Sequence, residues 1–377
     1  MNNKKIVFLT GTRADFGKLK PLIEKIENST LFECYVFVTG MHTLSKYGST
    51  FTEVQKEGYK NVFVYMNQTH TTDTDVILSN TITGFSNFVK EIKPDLILIH
   101  GDRIEALAGA TVGAFNNILV SHVEGGELSG TIDEIIRHTV TKLSHLHFVA
   151  NDEAKTRLLQ MGESENSVFV IGSPDIDIMK SKNLPSIKEV KNRYDIIFTN
   201  YAILAFHPVT TELDSLKEQI SHLVKAVIQS NRNYVVIYPN NDNGSDIILD
   251  EYKHFESNKN FKIFPSIRFE YFLTLLKNAD FIIGNSSAGI REAGIYGTPS
   301  IDIGTRQKNR TKNTNVKNIP SDLNSIQKAI IDAYDKKIEP NFDFGDGNSS
   351  ARFYEIIIDK NTWMIPLQKQ FIDLSKK

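Results

Sequence analysis

The chain has 377 residues, enough for about two domains at roughly 150 residues each. Hydrophobic residues make up 40% and charged residues 23%, which provides for a globular core and excludes wholesale disorder. Lys and Arg number 43 against 45 Asp and Glu, so a net charge of −2 gives no global attraction to nucleic acid or an anionic membrane. The single cysteine, Cys34, excludes an internal disulfide, a zinc-finger cage and a Cys-x-x-Cys redox pair. Its setting in Leu31 to Thr39 reads as a strand, with Cys34 as a small buried hydrophobe. Only four apolar residues, Ile6 to Leu9, follow the first lysines, too few for a secretory segment of about 7–15. No apolar run approaches the ~18 residues of a membrane span. The expectation is a cytoplasmic protein.

Short β-rich runs alternate with longer helical patterns. Ile6 to Leu9 predicts a strand, Asp15 to Glu27 a helix, Cys34 to Val38 a strand and Asp73 to Glu91 a helix. Asp95 to Ile99 is a continuous apolar run, as expected for a strand covered on both faces. Helices at Ile104 to Phe115, Ile132 to Leu143 and Glu153 to Met161 alternate with strands at Ile118 to Val120, His147 to Ala150 and Val168 to Ile171. From Ser173-Pro174 to Tyr194 the pattern reads as a connecting region. A second series follows. Its strands are Ala202 to Phe206, Tyr234 to Tyr238, Phe261 to Phe264, Phe281 to Ile283 and Ser300 to Ile303. Its helices are Leu213 to Ser230, Phe269 to Asn278, Ile290 to Tyr296 and Leu323 to Tyr334. The polar stretch 305–322 reads as a mobile loop. Two successive βαβ series imply two doubly wound α/β domains with mostly parallel sheets and a ligand site in the interdomain cleft.

The chemistry-bearing residues sit where strands end. Gly11-Thr12-Arg13-Ala14-Asp15-Phe16-Gly17 opens the first helix and reads either as an anion site or as a turn capped by Asp15. It is not the Gly-x-Gly-x-x-Gly dinucleotide fingerprint, and no Walker A motif occurs. Asp102 follows the 95–99 strand and reads either as a helix cap or as a general acid–base group. Glu124 precedes two glycines in His122-Val123-Glu124-Gly125-Gly126-Glu127, and Asp133 opens the next helix. Three carboxylates on neighbouring strand-end loops exceed what capping requires.

No histidine pair with a downstream acid makes a metal site, so no required metal or cofactor is expected. His138, His145 and His147 read as packing or hydrogen-bonding residues. His207 ends the first strand of the second series, and Tyr238 to Gly244 is a polar loop after the next. Gly284-Asn285-Ser286-Ser287-Ala288-Gly289-Ile290-Arg291-Glu292 is a small-residue strand-to-helix turn that suits a diphosphate, with Glu292 placed for a sugar diol. Arg306 adds a cation after the following strand. Phosphate donors in one half and carboxylates in the other suit an enzyme acting on the sugar of a nucleotide sugar.

These segments, together with Ile171-Gly172-Ser173-Pro174-Asp175, Phe206-His207-Pro208-Val209-Thr210, Pro265 to Phe272 and Gly304-Thr305-Arg306-Gln307, resemble the hydrolysing UDP-N-acetylglucosamine 2-epimerases of bacterial sialic-acid pathways. The resemblance runs in order from the first strand past residue 306. It implies a glycosyltransferase-B-like fold of two Rossmann-like domains, 1–174 and 175–362, with a helix at 363–377 packing back on the first. Phe353 to Asp359 and Pro366 to Leu374 are the helical candidates for that return. It also implies elimination of UDP across C1–C2 and hydration of the resulting 2-acetamidoglucal. The implied catalytic group is Asp102, Glu124 and Asp133. The implied UDP contacts are Arg13, His207, Asn240, Phe272, Ser286, Ser287, Glu292 and Arg306. A homodimer or homotetramer is implied as well. A sister activity on UDP-N,N′-diacetylbacillosamine carries the same pattern and stays open, as does, more remotely, a glycosyltransferase of the same fold.

Overall fold

The computed structural model describes residues 3–129, 132–307, 315–333 and 338–373. It divides into two compact units. The first comprises Met1–Glu127, Asp133–Lys180 and Asp343–Lys377, and the second Leu128–Ile132 and Ser181–Phe342.

The first unit runs β1 (Lys4–Thr10), α1 (Arg13–Glu27), β2 (Phe32–Val38), α2 (Phe51–Lys56), β3 (Val62–Val64), α3 (Thr74–Ile92), β4 (Leu96–His100), α4 (Ile104–Phe115), β5 (Leu119–Val123), α5 (Ile132–Leu143), β6 (Leu146–Val149), α6 (Asp152–Gln160), β7 (Val168–Val170) and α7 (Pro174–Met179). Its seven parallel strands lie in the order β3-β2-β1-β4-β5-β6-β7. The order reverses between β1 and β4, which opens a crevice at their carboxyl ends. β4 and β5 are buried along their whole length, so the run of apolar residues reflects helices on both faces. One face packs Leu19, Ile23 and Leu98 with Phe353 and Ile357, and the other packs Phe85, Ile97 and Ala110.

The second unit runs α8 (Ile187–Arg193), β8 (Ala202–Ala205), α9 (Leu213–Gln229), β9 (Tyr234–Ile237), α10 (Ser245–Tyr252), β10 (Phe261–Phe264), α11 (Phe269–Lys277), β11 (Ile282–Gly284), α12 (Glu292–Tyr296), β12 (Ser300–Ile303), β13 (Val316–Ile319) and α13 (Leu323–Ala333). Its parallel order is β10-β9-β8-β11-β12-β13, with the reversal between β8 and β11. Gly284 ends β11 at φ +139°, where an added Cβ would lie 2.0 Å from the Ala205 carbonyl oxygen of β8. Only glycine permits that approach.

Several expectations need correction. The connecting region contains two short helices, α7 and α8, and the loop read at 305–322 contains β13, which pairs with β12 along its length. The stretch 308–314 lies outside the described residues, as does Tyr334 at the end of the predicted Leu323–Tyr334 helix. The return to the first unit begins at Asp343, earlier than residue 363. The helix that packs there is α14 (Ser349–Ile358), whose Phe353 meets Phe148 edge-on at 5.1 Å. A 3₁₀ turn at Lys360–Met364 follows, and residues 365–373 are not helical; Leu374 and beyond lie outside the described residues. This non-helical tail is tied down by polar contacts. Lys369 Nζ donates to the Ser144 carbonyl at 2.6 Å and to Glu163 at 2.5 Å, and His145 Nε2 donates to the Leu367 carbonyl at 2.9 Å. No helix among the described residues is long and apolar enough to cross a membrane.

Candidate active site

In the first unit the loop after β1 is occupied by its own carboxylate. Thr12 caps α1 and accepts from the Asp15 N–H at 3.1 Å, while Asp15 accepts from the N–H groups of Gly11 at 3.0 Å and Thr12 at 3.1 Å. This capping box occupies the amides of Gly11, Thr12 and Asp15, with Thr12 rather than Asp15 at the cap position. Arg13 pairs with Glu53 at 2.5 Å. Behind the loop lies Glu105, a buried carboxylate that sequence reasoning passed over; a Cβ on Gly11 would meet its Cδ at 2.7 Å.

Asp102 does not cap α4. The N-cap is Arg103, with no side-chain cap bond, and the Asp102 carboxylate instead accepts from Arg137 Nη2. Arg137 comes from α5 and its side chain is 2% exposed. Its Nη1 donates to the Glu124 carbonyl at 3.0 Å and to Glu127 Oε2 at 3.5 Å. One guanidinium thus fastens the loops after β4 and β5 to each other. Asp133 lies four residues before Arg137, on the same helix face one turn nearer the N-terminus. It is half-buried.

Glu124 sits at φ +63°, a left-handed conformation that is rare for a non-glycine residue. Its buried carboxylate accepts from His100 Nε2 at 2.9 Å through Oε2 and from the Ser173 hydroxyl through Oε1. His122 lies alongside. Its Nε2 meets the Gly101 carbonyl at 2.8 Å, so that nitrogen carries the proton, and Nδ1 accepts from the Thr141 hydroxyl at 3.1 Å. Burial pushes His122 down to about 3, so it holds Gly101, and with it Asp102, as a neutral ring. His145 and His147 are hydrogen-bonded within the fold, to Leu367 and Glu163 respectively, and His138 stands 3.4 Å from Glu134.

In the second unit Asn285, quoted in the sequence motif but given no role there, is the hub. Its side chain bonds both backbone groups of His207, accepting at 2.7 Å and donating at 2.8 Å. Its carbonyl accepts from Arg306 Nη1 at 3.2 Å and Gln307 Nε2 at 2.9 Å. His207 Nδ1 accepts from the Asn240 N–H at 3.0 Å, so His207, Asn240 and Arg306 are joined across the ends of β8, β9, β11 and β12. Ser286 caps a 3₁₀ turn at Ser287–Gly289, and both serines are half-buried. Glu292 is buried at the first position of α12. Phe272 lies on α11, partly buried against the core cluster that includes Ile267, Leu275 and Leu276. Among the described residues no cluster of His, Cys, Asp or Glu has the form of a metal site.

Arg137, Glu127, Ser173, Asp175 and Asn285 were not singled out from the sequence. The available signal was positional: Arg137 follows Asp133 by one helical turn, and Ser173 and Asp175 flank the proline that opens α7.

The profile of the UDP-N-acetylglucosamine 2-epimerase family matches residues 24–358. The chain is 50% identical over 376 residues to the UDP-N-acetylglucosamine 2-epimerase of Neisseria meningitidis, covering 99% of this chain and 100% of that protein. It is 33% identical to the hydrolysing UDP-N,N′-diacetylbacillosamine 2-epimerase of Legionella pneumophila, over 98% of each. Its fold matches that of the Methanocaldococcus jannaschii UDP-GlcNAc 2-epimerase, solved with UDP-GlcNAc and UDP, at a TM-score of 0.78 and 23% identity, covering 94% of this chain and 99% of that one. The chain belongs to the UDP-N-acetylglucosamine 2-epimerase family.

Proposed function

We propose that this member of the family is a hydrolysing UDP-N-acetylglucosamine 2-epimerase, converting UDP-GlcNAc and water to N-acetylmannosamine and UDP for sialic acid synthesis. The observation that carries the reading is the Arg137 clamp, which brings the Asp102 and Glu124 loops together one helical turn from Asp133. A carboxylate base removes the C2 proton. The C1–O bond breaks with its electron pair leaving on the UDP β-phosphate, and C1=C2 forms. Water then adds its oxygen to C1 while a proton is delivered to C2 from the opposite face. Asp102 and Glu124 carry the proton transfers at C2, and Asp133 activates the water. The departing diphosphate is stabilised by Ser286, Ser287 and their backbone amides, with Arg13, His207, Asn240 and Arg306 as further contacts. Glu292 holds the ribose hydroxyls and Phe272 packs near the uracil.

Turnover of UDP-GlcNAc in D2O, followed by proton NMR, tests this. Free N-acetylmannosamine, UDP and deuterium at C2 are expected. Accumulation of UDP-N-acetylmannosamine would refute the hydrolytic step. Turnover restricted to the diacetylbacillosamine nucleotide would select the activity of the Legionella relative, against the higher identity to the Neisseria protein.

A further inference from the structure

Ser173 stands between two buried acids. It lies in the turn that opens α7 and is fully buried. Its N–H donates to the Phe344 carbonyl at 2.7 Å, and its own carbonyl accepts from Ser349 Oγ at 3.0 Å, so the backbone is pinned on both sides. The hydroxyl contacts Glu124 Oε1 and Asp175 Oδ1. Asp175 is buried too, and its Oδ2 lies 3.2 Å from Lys18 Nζ. With His100 on Glu124 Oε2 at 2.9 Å, five side chains form one line: Lys18, Asp175, Ser173, Glu124, His100.

A hydroxyl carries a single hydrogen and can donate to only one of the two carboxyl groups. Donation to Glu124 leaves Asp175 with Lys18 as its cation. Both Glu124 oxygens then have fixed partners, which stops rotation of the carboxylate about its last side-chain bond. Building on the proton-transfer role given above to Glu124, we propose that Ser173 is a positioning residue of the reaction, fixing the Glu124 carboxylate through its hydroxyl opposite His100.

Ser173→Ala removes the donor and leaves Glu124 beside the charge of Asp175. Both changes favour the protonated form of Glu124, so the acid limb of the kcat profile moves to higher pH by about one unit. The other groups facing Glu124 are unchanged: His100 from β4, His122 from β5, Arg137 from α5, Glu127 from the following loop, and Lys18 from α1 through Asp175. At neutral pH kcat for UDP release from UDP-GlcNAc falls about tenfold or more while KM stays within about twofold, because the hydroxyl acts through Glu124 and not on substrate. Ser173→Cys, which keeps the volume but weakens the donor, shifts the limb in the same direction.

The limb and kcat are measured for both variants after circular dichroism has verified their folding. An unmoved limb, with or without lost activity, overturns the proposal, because a merely structural residue would leave the limb in place. Failure of both variants to fold overturns it as well, by making Ser173 a core residue. Glu124→Gln separates the two levels of argument. If Glu124→Gln is inactive and Ser173→Ala behaves as wild type, only the role of Ser173 falls. If Glu124→Gln turns over normally, the role of Glu124 falls first.

Discussion

Replacing Arg137 with methionine keeps most of the buried stem and removes the guanidinium. The Glu124 carbonyl loses a hydrogen bond donated at 3.0 Å, worth about 1 kcal/mol net. Asp102, whose side chain is 21% exposed, can recover hydration. Glu127, whose side chain is 5% exposed, cannot do so readily, and the loss of its cation is the larger part of a total of about 3–5 kcal/mol. A loss of that size lowers the melting temperature of a domain of about 200 residues by roughly 10 °C. Calorimetry reads it, with the transition of the first unit followed on its own because a chain of two units need not unfold in one step. In a Glu127→Gln background the same substitution costs less, since one of the two separated charges is then absent. Turnover falls about 100-fold, because Asp102 and the Glu124 loop lose their common anchor. A loss below about 1 kcal/mol, or an unchanged cost in the Glu127→Gln background, would refute the claim that Arg137 is the joint between the loops.

Other outcomes follow from single features. Asp102→Asn keeps the fold and lowers UDP release about 10²- to 10⁴-fold; wild-type turnover would remove Asp102 from the reaction. Gly284→Ala sets a Cβ 2.0 Å from the Ala205 oxygen at a strained φ and costs about 3 kcal/mol or more; a melting temperature within about 2 °C of wild type would contradict the close approach of β8 and β11. Burial lowers His42 to about 4 and His122 to about 3, so between pH 6.5 and those values the unfolded chain binds protons that the folded chain does not. Stability therefore falls as pH drops through this range, by up to roughly 1.4 kcal/mol per unit for each ring. Glu163 adds a loss below pH 4.5: burial opposes its charge, but His147, Lys142 and Lys369 outweigh burial and hold it at about 2. Thermal melts at pH 7 and pH 5 read the histidine contribution; equal midpoints would sink it, and His122→Gln should flatten the slope.

The two-domain alternation was legible because its strands are buried on both faces and their apolar runs are unbroken, as in Leu96–His100. Asp102 and Glu124 were legible as candidates because they lie just past the ends of β4 and β5, and Asp133 because it opens α5. What binds them was not. Asp102 and Arg137 are 35 residues apart, and Glu124 and Ser173 are 49 apart, and no local periodicity encodes such pairs. The loop after β1 left two chemistries open because the same kind of amide serves a ligand or a capping acid, and the structure shows Asp15 accepting from those of Gly11 and Thr12. β13 was hidden by composition: Val316-Lys317-Asn318-Ile319 is an edge strand with two exposed polar residues in its middle. Of the two helical candidates for the return, Phe353 to Asp359 falls on α14, which buries Phe353 and Ile357, whereas 366–373 has helix-forming residues but is not helical.

The tail's attachment has a consequence for the order in which the chain is made. Glu163 and its partner Lys369 are 206 residues apart, with the whole run from Ser181 to Phe342 between them. α5 carries Asp133 and Arg137 near its start, and at its far end the carbonyls of Thr141 and Ser144 accept from that lysine. A ribosome that has delivered all of β1 to β7 has therefore delivered a first unit still lacking α14 over α1 and the cation that finishes α5. The run Ser181–Phe342, which makes up most of the second unit, is continuous and can close first even though it is synthesised later. Chains truncated before Asp343 would carry all three acids and yet lack the contacts that secure the helix presenting one of them.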